Sequence, residues 1–161
     1  MTEAAFDELL RQLAAAQVRF VLVGGLAVNA WGVVRATRDV DIVIDPDPDN
    51  LSRLAQVAAA AGGHVQTRDA FVSSAFSIAA LLATGEQVHI DTDLAALDVV
   101  QGLPGVSPYN ELRARAVAVE ISGVAIAVCS LEDLRAMKRA AGRTRDLADL
   151  EDLDAAHSDD E

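Results

Sequence analysis

The stretch FVLVGGLAVNAWGVVRATRDVDIVI, residues 20–44, decides how the chain reads. An apolar run from Phe20 to Val23 ends in Gly24 and Gly25. A short helix-compatible segment follows, and a second apolar run carries Asp39 and Asp41. On a strand, residues two apart project to the same face. Asp39 and Asp41 therefore project together, while Val40 and Ile42 turn to the other side. Two carboxylates side by side repel one another unless a cation lies between them. Magnesium takes hard oxygen ligands and is commonly shared between such carboxylates and substrate phosphates. A glycine pair opening a helix presents backbone N–H groups to those phosphates. Together these features describe a metal-assisted phosphate site.

The flanking sequence supplies the scaffold. Phe6, Leu9, Leu10 and Leu13 fall on one helical stripe, which predicts an amphipathic helix over residues 3–16. Residues 25–33 predict a short helix burying Ala27, Ala30 and Trp31. Residues 39–44 form the next strand, stopped by DPDPDN, where proline and asparagine favour turns. Leu51, Leu54, Ala55 and Ala58 mark a third helix, ended by Gly62 and Gly63. Residues 64–82 fit neither period cleanly, and 71–82 is compatible with strand or helix. Residues 87–91 and 97–100 read as strands around a tight connection, GLPGVSP as loop, and 109–115 as a short helix. Val117, Val119 and Ile121 alternate, as do Val124, Ile126 and Val128, about Ser122 and Gly123: a hairpin. Ser130 caps a helix carrying Leu134, Met137 and Ala141. Gly142 breaks it, and residues 144–156 form another, with Leu147, Leu150 and Leu153 facing inward. Strands joined by helices, plus hairpins, predict an α/β (α+β) fold. The expected form is one domain over residues 1–156, a mixed β-sheet flanked by helices with a C-terminal helical pair. An acidic tail follows at 157–161.

Composition narrows the function classes. A chain of 161 residues, 52% hydrophobic, suits one domain with a real core. With aromatics at only 4%, alanine, valine and leucine must fill that core. The apolar runs fall short of a membrane span, and the first residues lack a signal-peptide pattern. The single cysteine, Cys129, excludes an intramolecular disulfide. A cytoplasmic protein without a membrane partner is expected. Of the net charge of −12, eight acids lie between Asp146 and Glu161 with no Lys or Arg among them, leaving the rest near −4. A polyanion finds little general attraction in such a chain, which argues against a DNA-binding module.

A Gly-Gly turn, about a dozen residues, and then Thr37-Arg38-Asp39-Val40-Asp41 resembles the nucleotidyltransferases of the DNA polymerase β type. The similarity is strongest to their small prokaryotic members, which include abortive-infection and toxin–antitoxin enzymes. VCSLEDLRAMKRAAGRTRDLADL, residues 128–150, resembles the family's C-terminal helical signature. The resemblance implies the nucleotidyltransferase fold and two Mg2+ ions, with Mn2+ as the alternative metal. It also implies transfer of a nucleoside monophosphate from a nucleoside triphosphate to a hydroxyl on a tRNA end, a protein or a small molecule. A cognate partner protein would fit the toxin–antitoxin members.

That chemistry needs a third carboxylate to complete the catalytic metal and help deprotonate the acceptor. Asp91, Asp93 and Asp98 are the candidates. Asp91 and Asp93 share a strand face, but Asp93 sits where the chain should turn. Asp98 lies in an apolar strand and matches the family's third-carboxylate strand, so Asp39, Asp41 and Asp98 are the expected catalytic and metal-binding set. Asp98 should face the Asp39–Asp41 pair from the neighbouring strand, with Asp91 pointing away or at the far end of its strand. Gly24, Gly25, Thr37, Arg38 and Lys138 are the expected nucleotide-binding residues. Many relatives have Gly-Ser where this chain has Gly24-Gly25, and Thr37 is a candidate replacement for the missing hydroxyl. Lys138 is the only lysine beside twelve arginines, which suggests a site shaped for a compact ammonium. Trp31 reads as core or as a base-stacking platform, and Arg143 with Asp146 as a salt bridge or a substrate contact. His64, His89 and His157 show no ligand spacing. The rival reading is a catalytically degenerate nucleotidyltransferase acting as a nucleotide-binding or antitoxin-like module. A D-x-D glycosyltransferase would need far more chain. A phosphatase reading of HIDTDLA lacks the threonine expected after the second aspartate.

Overall fold

In the computed structural model, which describes residues 3–158, helix α1 (Glu3–Ala15) buries Phe6, Leu9, Leu10 and Leu13. These are the residues that the helical period places on one stripe. Strand β1 (Phe20–Val23) is buried throughout and runs directly into α2 (Gly24–Ala30). Strand β2 (Asp39–Ile44) returns beside it. Helix α3 (Pro48–Ala60) opens with proline in its first turn, and the Asp47 carboxylate accepts from the Asp49 N–H. The ambiguous segment resolves into both structures: β3 (Val65–Gln66) pairs with β4 (Phe71–Val72), and α4 (Ala75–Leu82) follows. Next come β5 (Val88–Asp91), β6 (Ala96–Val99) and α5 (Tyr109–Arg115), then the hairpin β7 (Val117–Ile121) and β8 (Val124–Val128). Helices α6 (Leu131–Ala141) and α7 (Thr144–Ala156) complete the described chain.

Among the described residues, six strands form one mixed sheet in the order β5-β6-β2-β1-β8-β7. The β1–β2, β5–β6 and β7–β8 pairs are antiparallel, and β2–β6 and β1–β8 are parallel. Val40, Ile42 and Ile44 lie on one face of β2 and are buried with Leu9, Leu13, Leu54 and Ile78 from the helices. Each such side chain contributes about 1.5–3 kcal/mol by leaving water. The opposite face of β2 carries Asp39 and Asp41, both half-buried. Fold class, mixed sheet and C-terminal helical pair are as the sequence predicts. No helix among the described residues is long and apolar enough to cross a membrane.

Two side-chain expectations are corrected. Ala30 is exposed and Trp31 half-buried, while α2 buries Ala27 as expected together with Gly25 and Val28. On α7, Leu147 is 51% exposed, and the buried residues are Asp146, Asp149 and Leu153. An acidic stripe can turn inward because bases on neighbouring elements meet it: Lys138 Nζ lies 3.3 Å from Asp146 and 2.9 Å from Asp149. Of the expected acidic tail, residues 159–161 lie outside the described residues.

Candidate active site

The turn from β1 into α2 is built for close approach. Gly24 has φ +68°, and a Cβ there would lie 1.9 Å from Asp41 Oδ2. A Cβ on Gly25 would lie 2.6 Å from Thr37 Oγ1. The glycine pair thus lets the Asp41 carboxylate and the Thr37 hydroxyl sit against the backbone of the turn. It also accounts for the departure from Gly-Ser, since the Thr37 hydroxyl already stands where a serine at position 25 would begin. Thr37 Oγ1 donates to the Asp39 carbonyl at 3.2 Å, which holds it at the mouth of β2.

The parallel register of β2 and β6 sets Asp41 opposite Asp98 and Asp39 opposite Ala96. Paired residues share a face, so Asp98 projects with Asp39 and Asp41. One oxygen from each of these three carboxylates lies within 4.8 Å of the other two. Burial, reinforced by the charges of Asp98 and Asp39, pushes the Asp41 carboxyl up to about 7. Asp39 is also raised, by burial and then by Asp98. Asp39 and Asp41, both held against ionisation, and Asp98 beside them form a hard-oxygen donor set short of positive charge, and a magnesium-like cation fits it.

The rejected carboxylates fall elsewhere. Asp93 packs against Gly62, where a Cβ would lie 2.4 Å from its Oδ2. Asp91 does not turn away: it pairs with Ala96 across β5–β6 and faces the same side as Asp98, one strand farther out. His89, assigned no role from its spacing, sits opposite Asp98, with Nδ1 2.7 Å from Asp98 Oδ1 and Nε2 3.1 Å from Asp91 Oδ1. Alternation alone puts His89 and Asp91 on one face. Only the strand pairing shows that this is also the face of Asp98.

The carboxylates open into a cleft of about 500 Å³ lined also by Gly24, Gly25, Thr37, Arg38, Arg145 and Lys138. Leu103, Pro104, Val106 and Met137 supply an apolar part of the wall. Lys138 is buried between the α7 aspartates, and Arg143 Nε donates to Asp146 Oδ2 at 2.7 Å. Burial works to raise Asp146, but the Arg143 hydrogen bonds hold it below the usual carboxylate range. Arg35 is paired with Asp149. Arg38 and Arg145 have no ion pair among the described residues, which leaves two guanidinium charges available to a ligand. Arg145 was not singled out by spacing, because its availability shows only once Arg35, Lys138 and Arg143 of the same cleft are seen to have partners.

Trp31 lies outside this cleft and donates from Nε1 to the Cys129 carbonyl at 2.9 Å. Cys129 is buried and its thiol is pushed up to about 12, mainly by burial, so it offers no thiolate.

A family model described as "Nucleotidyltransferase of unknown function (DUF6036)" matches residues 4–158. The chain belongs to this family. Among solved structures, the chain is similar to the antibiotic-resistance factor ANT(2'')-Ia in solution. The two are 13% identical with a TM-score of 0.64, over 96% of this chain and 85% of that one. A crystal structure of ANT(2'')-Ia in complex with adenylyl-2''-tobramycin gives 12% identity and a TM-score of 0.58, over 92% and 84%. A putative nucleotidyltransferase from Thermotoga maritima, TM1012, gives 16% identity and a TM-score of 0.55, over 89% and 86%. At these identities the likeness shows the fold. No curated protein matches the chain by sequence.

Proposed function

We propose that the protein is a magnesium-dependent nucleotidyltransferase that moves a nucleoside monophosphate from a nucleoside triphosphate to an acceptor hydroxyl and releases pyrophosphate. The observation that carries this reading is the convergence of Asp39, Asp41 and Asp98, from two neighbouring strands, at a turn that tolerates no side chain. Asp39, Asp41 and Asp98 would hold the metal, Mg2+ or Mn2+, which supplies charge neutralisation at the triphosphate and acidity at the acceptor hydroxyl.

The chain's own groups do the rest. Gly24 and Gly25 offer backbone N–H groups to the triphosphate, with the Thr37 hydroxyl beside them and Arg38 at the cleft. Lys138 lends its charge from within the Asp146–Asp149 pair. The acceptor oxygen attacks the α-phosphorus as the bond to the β-phosphate bridging oxygen breaks. The acceptor proton passes to Asp98. The pyrophosphate leaves with the electron pair of the broken bond. The proposed setting, a cytoplasmic enzyme of the abortive-infection or toxin–antitoxin kind with a cognate partner, rests on the sequence resemblance.

Incubation with each labelled nucleoside triphosphate, magnesium and total cellular RNA tests the reaction, with cell protein and small-molecule extracts as parallel acceptors. Label on any one acceptor that disappears with Asp39→Asn/Asp41→Asn supports the reading and names the acceptor. Absence of transfer and of magnesium-dependent triphosphate binding would leave a non-enzymatic partner module.

A further inference from the structure

We infer that His89 is a positioning residue that fixes the Asp98 carboxylate for metal binding, an inference that rests on the nucleotidyltransferase reading and deepens it. Strands β5 and β6 place His89 directly opposite Asp98. Its Nδ1 lies 2.7 Å from Asp98 Oδ1, and its Nε2 lies 3.1 Å from Asp91 Oδ1. With one ring nitrogen on each carboxylate, the imidazole cannot rotate without losing a contact. Asp98 Oδ1 is committed to His89, which leaves Oδ2 as the oxygen to offer a cation shared with Asp39 and Asp41.

Asp91 acquires a role in the same arrangement. It is the outer support of the imidazole, and its Oδ2 lies 3.9 Å from His64 Nε2. The His64 ring in turn stacks on Phe71 with centroids 4.8 Å apart. The carboxylate that competes with Asp98 in the sequence thus braces it through His89.

A surface ion pair is the plainer account, since the His89 side chain is 47% exposed and exposed pairs contribute little to folding. The Asp98 side chain, however, is only 15% exposed and sits among two other carboxylates. There the hydrogen bond does what folding energy does not measure. It selects one orientation of a group that repulsion from Asp39 and Asp41 would otherwise turn aside. Groups that orient metal ligands in this way typically change metal affinity by about 10–100-fold when removed.

Asparagine and glutamine separate the two contacts, because their amide nitrogens reach the positions of Nδ1 and Nε2 respectively. Binding of Mn2+ alone, read by the loss of the free-ion electron paramagnetic resonance signal, is measured for wild type, His89→Ala, His89→Asn, His89→Gln and Asp39→Asn/Asp41→Asn. Thermal melting accompanies each. The expected result is Mn2+ binding weakened about 10–100-fold in His89→Ala and His89→Gln, and restored toward wild type in His89→Asn. Equal affinity in His89→Ala and wild type overturns the positioning role, and so does equal loss in His89→Asn and His89→Gln. Wild-type protein whose Mn2+ binding is absent, or unchanged by Asp39→Asn/Asp41→Asn, overturns the metal-site reading itself and the positioning role with it.

Discussion

Gly24 and Asp41 meet without room for a side chain between them: a Cβ on Gly24 would lie 1.9 Å from Asp41 Oδ2, and Gly24 has φ +68°. Gly24→Ala therefore combines a left-handed backbone with a direct clash against a carboxylate. The expected loss is about 1–3 kcal/mol from the backbone alone, with nucleotide and metal binding lost as Asp41 is displaced. Urea denaturation and calorimetry with magnesium and nucleoside triphosphate measure the two effects separately.

Gly25 and Thr37 form a second such pair, and here the clash can be relieved. Gly25→Ser brings its Cβ within 2.6 Å of Thr37 Oγ1, so the single change should destabilise. Gly25→Ser/Thr37→Gly removes both obstacles, the Thr37 hydroxyl at 2.6 Å and its Cβ at 2.9 Å, and moves a hydroxyl to the turn. A coupling of about 0.5–3 kcal/mol in the double-mutant cycle is expected. Strictly additive effects in denaturation would show that the two positions do not compete for one place.

The third carboxylate is separable from its support by mutation. Asp98→Asn should lower nucleotidyl transfer by at least about 100-fold, the scale of a lost general base. Asp91→Asn, which still holds an oxygen near His89, should cost far less. Steady-state rates with the labelled acceptor decide the matter. A larger loss in Asp91→Asn would pass the catalytic role to Asp91.

Asp41 makes stability depend on pH with a defined sign. Its carboxyl stands at about 7 when folded against 3.8 when free. The folded chain therefore binds more protons between those values, and stability falls as pH rises from about 4 to about 7. The cost is absent below the lower value and fully present above the upper one. Magnesium binds the ionised form, so it should raise the melting temperature more at about pH 8 than at about pH 5. Scanning calorimetry in EDTA and in magnesium checks both statements. A magnesium effect larger at the acidic pH contradicts them.

Lys138 is buried between Asp146 and Asp149, so Lys138→Met leaves each carboxylate with only its arginine, Arg143 or Arg35. A loss below the roughly 3–5 kcal/mol of a buried pair left uncompensated is expected. Lys138→Arg keeps the charge but brings a wider planar group into an 8%-exposed site, and should impair both folding and transfer more than a surface Lys→Arg exchange. Urea midpoints and transfer rates for both variants test this. Wild-type values in Lys138→Arg would remove the argument for a site shaped to an ammonium.

Much of the scaffold was legible because local pattern and packing agree. The four-residue apolar stripe of α1, the apolar run of β1 and the alternation of β2 each have one way to bury themselves. The juxtaposition of Asp39 and Asp41 follows from the pleat. What local pattern cannot supply is pairing register. His89 and Asp91 look like ordinary alternate residues until β5 is laid beside β6, and the inward aspartates of α7 look like solvated charges until Lys138, Arg35 and Arg143 are set around them. Leu147 fits a helical stripe with Leu150 and Leu153 equally well, so hydrophobicity alone counted it as inward although it is exposed.

The segment between α2 and β2 owes its anchorage to chain made much later. His157 Nε2 donates to the Trp31 carbonyl at 2.6 Å, and Arg35 pairs with Asp149, contacts spanning 126 and 114 residues. The loop leading into β2 is therefore held by tertiary contacts to α7 and its C-terminal cap, whereas β2 and β6 hold one another through their own backbone ladder. A break that detaches α7 would free the wall beside the acidic centre while the strands bearing the carboxylates stay paired.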